Sequence, residues 1–82
     1  MSLRTKALQA ELDELEERIK LAVNAHEQAN STFGRFEGSC GSPLWERLRN
    51  EVDHTLTHQR ILQALWHRTK AALLEQQNAD KE

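Results

Sequence analysis

The sequence predicts an all-α protein, an antiparallel two-helix hairpin of coiled-coil character. Three observations lead there. Gly34, Gly38, Gly41 and Pro43 are all the glycine and proline of the chain, and they fall within ten residues, so chain reversal is confined to one place. The segments on either side are rich in Leu, Ala, Glu, Gln, Arg and Lys, the good helix formers. Within each segment the apolar residues recur at alternating spacings of three and four, a narrow stripe along one helical face.

The first helix is expected over about 3–33. Its stripe is Leu8, Leu12, Leu15, Ile19, Ala22, Val23, His26, Ala29 and Phe33, and Phe36 continues it if the last turn persists. About 30 residues at ~1.5 Å each make a rod of roughly 45 Å. A rod of that length is not held by propensity alone and needs a partner for its stripe. Residues 34–42, GRFEGSCGS, read as a loop. Ser42 is placed to cap the second helix, with Pro43 at the first helical position, where its missing N–H costs nothing. The second helix is expected over about 43–77, with the polar stretch from Glu75 to Glu82 fraying. Its stripe is Trp45, Leu48, Val52, Thr55, Gln59, Leu62, Trp66, Thr69 and Leu73. A connector of about nine residues between two long amphipathic helices favours an antiparallel hairpin. The expected unit is therefore one domain over 1–82. Its seam joins Leu8, Leu12, Leu15 and Ile19 to Trp45, Leu48, Val52, Leu62, Trp66 and Leu73.

Composition excludes several classes. The chain has 82 residues, 5 % of them aromatic, which is too few aromatics and too few turns for a β-sandwich or barrel. No apolar run approaches membrane-spanning length. An amino-terminal apolar signal core is absent, so secretion by the common route is not expected. A single cysteine, Cys40, allows no internal disulfide and fits a reducing compartment; the expected location is cytoplasmic. With 11 basic and 13 acidic residues the net charge is −2, which opposes binding to nucleic acid by bulk electrostatics. A nucleic-acid adaptor would have to use Arg47, Arg49, Arg60, Arg68 and Lys70 against an acidic first helix. Glu11, Asp13, Glu14, Glu16 and Glu17 cluster early in the first helix, and Arg60, His67, Arg68 and Lys70 late in the second. Folding about a pivot near Gly38 brings the two clusters side by side. Each exposed pair contributes only ~0–1 kcal/mol, so the pattern sets orientation more than stability.

The second helix carries more apolar surface than one seam needs. With successive residues ~100° apart, Leu62, Trp66 and Leu73 point one way and Ile61, Leu65 and Ala72 about 90° from them. Two readings stay open: a broad hairpin core or self-associating face, and a docking surface for a third helix or another chain. On the second reading Ile61, Leu65 and Ala72 are the partner-binding residues. Leu21 also lies off the seam, but a single exposed leucine needs no explanation.

Candidate chemistry is sparse. His54 and His58 are four apart, with Glu51 three before His54, a spacing that can place two imidazoles and a carboxylate on one face. A di-iron bundle needs a second Glu-x-x-His, and none occurs; a solvated polar face accounts for the pair, and no metal or other cofactor is expected. His26 lies on the seam, as a hydrogen-bonded or half-exposed histidine or as a pH-sensitive element. Cys40 sits in the glycine loop without the base and orienting group that a nucleophile needs. Paired-carboxylate clefts and phosphate-binding glycine loops are missing, so no catalytic residues and no enzymatic activity are expected.

The layout resembles the small cytoplasmic E component of type III secretion systems, the co-chaperone of the needle subunit. The resemblance covers about residues 11–74. It rests on Leu12-x-x-Leu15-Glu16, a glycine-containing connector, Pro43 before Leu44-Trp45, and the late cluster Ile61-Leu62 with Leu65-Trp66. The resemblance implies a helical hairpin that joins a tetratricopeptide-like chaperone and keeps the needle subunit soluble and unpolymerised in the cytoplasm. The alternative is a self-associating structural coiled coil, such as a four-helix dimer of hairpins, without a chaperone role.

Overall fold

A computed structural model describes residues 2–81. It consists of two helices, α1 (Leu3–Gly34) and α2 (Pro43–Lys81), with no strand among the described residues. They run antiparallel and form a rod 63 Å long and 15 × 13 Å across. Every residue of the expected seam is shielded. Leu12 and Leu73 are almost fully covered, at 2 % and 1 % exposure, and Leu15 and Leu62 are buried. Leu8, Ile19, Trp45, Leu48, Val52 and Trp66 are half-buried. Leu15, Ala22 and Leu62 form the centre of the core, with Ile19 and Trp66 against it. Four buried leucines at ~1.5–3 kcal/mol each are a thin core for a chain of this length.

Local chemistry sets the helix ends. Ser2 caps α1: its Oγ accepts the Thr5 amide at 3.1 Å. Ser42 does the same for α2, its Oγ accepting the Trp45 amide at 3.2 Å while its carbonyl accepts from Glu46. Between them Gly41 takes φ +87°, a left-handed conformation that glycine adopts without steric cost. Phe36 lies beyond the end of α1, so the expected continuation of the stripe stops at Phe33. The Phe36 ring instead folds over Gly38 so closely that a Cβ there would collide with the ring. Phe33 and Trp45 close this end of the seam with ring centroids 5.7 Å apart, and Arg49 covers the Trp45 ring at 5.5 Å.

Two features differ from expectation. α2 continues to Lys81, beyond the expected end near residue 77; of the stretch expected to fray, Glu82 lies outside the described residues. The cause is a clasp between the rod's two ends of chain. Thr5 is buried at 2 % exposure, and its hydroxyl donates to Asp80 Oδ2 at 2.7 Å. Gln76 Nε2 donates to the other Asp80 oxygen at 3.0 Å. Because the Thr5 proton goes to Asp80, the Ser2 hydroxyl donates to Thr5 Oγ1, 2.9 Å away. The charge clusters also behave differently. The acidic segment does lie beside the end of α2, since Trp66 Nε1–H donates to Glu16 at 3.4 Å. Yet the ion pairs, Arg18–Glu14 at 2.7 Å and Lys20–Glu17 at 3.4 Å, are within α1 and exposed; none joins the helices among the described residues. Charges flanking a narrow apolar seam point into water, where pairing gains little over hydration.

Candidate protein-docking surface

Ala22 and Ala25 leave a depression between the helices on one flank of the rod. One shallow groove of about 380 Å³ is lined by Arg18, Leu21, Ala22, Ala25, His58 and Leu62. A second, of about 260 Å³, continues it along Ala22, Ala25, His54, Thr55 and His58. The floor is therefore two alanines and Leu62, with Leu21 on one bank and the two histidines on the other.

Leu21 thus gains a context that its isolated position in the sequence did not give. It is 68 % exposed and stands across the groove from His58. Ile61 and Leu65 follow His58 at three and seven residues, on the same face of α2. They are 54 % and 40 % exposed. Ala72, seven beyond Leu65, continues the line and is half-buried. Helical spacing from His58, which lines the groove with Leu21 and Ala25, places Ile61 and Leu65 on that same flank. In the single chain Ile61 and Leu65 are surface, and Leu62, Trp66 and Leu73 beside them are seam. Helical geometry places Glu16, Lys20 and Glu27 of α1 and Arg49, His67 and Lys70 of α2 on the opposite flank. The apolar flank carries only Arg18 as a formal charge between Arg18 and Ala25 on α1 and between His58 and Leu65 on α2.

The other candidate residues fall apart chemically. His54 and His58 line the groove, but among the described residues no group of three or more His, Cys, Asp or Glu could hold a metal ion. Cys40 is a free, exposed thiol in the connector. His26 Nδ1 lies 3.0 Å from Thr55 Oγ1. The Thr55 hydroxyl points to the carbonyls of Glu51 and Val52 at 2.9 and 3.0 Å, so its oxygen accepts from the ring and fixes the proton on Nδ1. His26 is a polar rung of the seam. Among the described residues no helix is long and apolar enough to cross a membrane.

The fold and this flank define a small, elongated, all-helical module whose exposed apolar residues offer a contact surface for another protein or another copy of the chain. No family model, curated protein or solved structure matches the chain.

Proposed function

We propose that the protein is a non-enzymatic binding module that works in the cytoplasm by helix packing, as a co-chaperone of a type III secretion needle subunit together with a tetratricopeptide-like chaperone. One observation carries the binding role: Leu21 stands exposed on a groove that His58 also lines, and the exposed Ile61 and Leu65 follow His58 on the same face of α2. Contiguous apolar surface of this kind on a small chain is costly unless something covers it. A hairpin with such a flank suits the task of shielding an aggregation-prone helix, because a helix laid between α1 and α2 completes a three-helix core. The identity of the partners rests on the resemblance of the Leu12–Glu16 and Ile61–Trp66 segments to the E components.

The test is isolation of the tagged chain from its native host at natural abundance, with the bound chains sequenced. A repeat chaperone and a small helical needle subunit are expected, both lost from the Ile61→Glu, Leu65→Glu double variant. Recovery of neither protein sinks the co-chaperone assignment. Their recovery in full with the double variant moves the docking surface elsewhere.

A further inference from the structure

We propose that, when no other chain occupies it, the flank carrying Leu21, Ile61 and Leu65 is covered by a second copy of this chain, the two rods lying parallel about a twofold axis that runs along their length. The inference rests on the reading of this flank as a docking surface.

The first argument is the shape of the surface. On α2, His54, His58, Ile61, Leu65, Arg68 and Ala72 follow one another at spacings of four, three, four, three and four. This is a second coiled-coil stripe, turned ~100° from the first. On α1, Leu21 and Glu14 are seven apart and share one face. The helical rhythm of the flank belongs to α2, and Leu21 is the large apolar residue that α1 adds to it.

The second argument is register. The Glu16–Trp66 and His26–Thr55 contacts fix which residues lie level across the hairpin. In that register Leu21 is within one residue of the level of Ile61, and Glu14 is level with Arg68. Both Glu14 and Arg68 are exposed. A twofold axis along the rod lays α1 of one protomer over α2 of its partner at the same level. Leu21 then meets Ile61, and Glu14, which pairs with Arg18 in its own helix, also meets Arg68, each contact occurring twice, as an isologous interface requires. All neighbouring helices in the resulting four-helix bundle run antiparallel. Turning the axis across the rod instead sets α2 on α2, with Arg68 near His54 and Glu14 near Gln28, and the charge match disappears.

Two measurements on the purified full chain test this. Sedimentation across a dilution series should show a monomer–dimer equilibrium. Spin labels on the native, exposed Cys40 should report a short separation, because a parallel pair brings both connectors to one end; an antiparallel pair separates them by nearly the 63 Å of the rod. Leu21→Asp and Ile61→Asp should each abolish the dimer while circular dichroism keeps the helical signal. Arg68→Glu and Glu14→Arg should each weaken it, and the double exchange should restore it. A monomer at every concentration, labels at rod-length separation, or a dimer indifferent to Leu21→Asp and Ile61→Asp would each overturn the proposal. A monomer whose needle-subunit complex still fails in the Ile61→Glu, Leu65→Glu variant removes the self-pairing and leaves the docking surface standing.

Discussion

Asp80 shows how a polar residue extends a helix that composition alone would end. Its carboxyl is held below the ordinary value of 3.8 by the Thr5 hydrogen bond first and by Gln76 next. A carboxylate stabilised in the folded state contributes fully above its unfolded pKa, and the contribution is lost as pH falls through the lowered folded value. The clasp should therefore hold at neutral pH and release in acid, below about pH 4. Asp80→Asn should lower the melting temperature at neutral pH and flatten the acid limb of a melting profile, the two proteins converging in acid where the clasp is already released. A parent and variant that lose stability in step on acidification would mean that Asp80 is not the titrating group. The clasp was legible in part. The seam spacing of three and four runs back through Thr5 to the start of α1 and forward from Leu73 through Gln76 to Asp80. Those positions escape an apolar stripe because they are polar, and their value lies in hydrogen bonds between residues 75 apart, which no local pattern encodes.

At the scale of elements, the hairpin depends on one buried stripe per helix and one short connector. Leu15 is buried in the central cluster and Leu21 stands exposed on the flank. Leu15→Asp should unfold the chain, because it places a charge in a core with little to spare. Leu21→Asp should keep the helical signal. Equal loss of helicity would mean that the seam has been placed on the wrong face. The connector gives a finer contrast. Gly41→Ala should cost about 1–2 kcal/mol, since a side chain at φ +87° meets backbone. Gly34→Ala has open space around it and should be neutral or stabilising by ~0.4–1 kcal/mol through the unfolded chain. Thermal melts of the two variants that shift by the same amount would contradict this account of the turn. Both helices and the connector were readable because glycine, proline and the capping Ser42 punctuate the sequence in one place. The Phe36 ring over Gly38 was not, because it is a contact inside the loop rather than a pattern.

For the whole molecule, the question is which apolar residues belong to the fold and which to a partner. Each helical wheel marks its own off-seam residues. That Leu21 and Ile61 stand level on one flank emerges only when the two helices are set in register, and register is a property of the packed pair. The assignment can be tested by comparing neighbours one residue apart. Ile61 and Leu65 are surface; Leu62 is buried and Trp66 half-buried against the core. Two leucine-sized anchors contribute ~3–6 kcal/mol when covered, against ~8 kcal/mol for a micromolar complex. They are a large share of the binding energy, with the remainder left to the rest of the flank. Ile61→Glu with Leu65→Glu should weaken association, with itself or with another chain, by roughly a hundredfold to ten-thousandfold and leave the chain helical. Leu62→Glu with Trp66→Glu should instead melt the hairpin, because Leu62 is part of the central cluster and Trp66 packs against it. Pull-down and circular dichroism on the same purified variants separate the two effects. If the Ile61 and Leu65 variant unfolds as badly as the Leu62 and Trp66 variant, the wide apolar arc of α2 is core throughout, and the docking surface loses its physical basis.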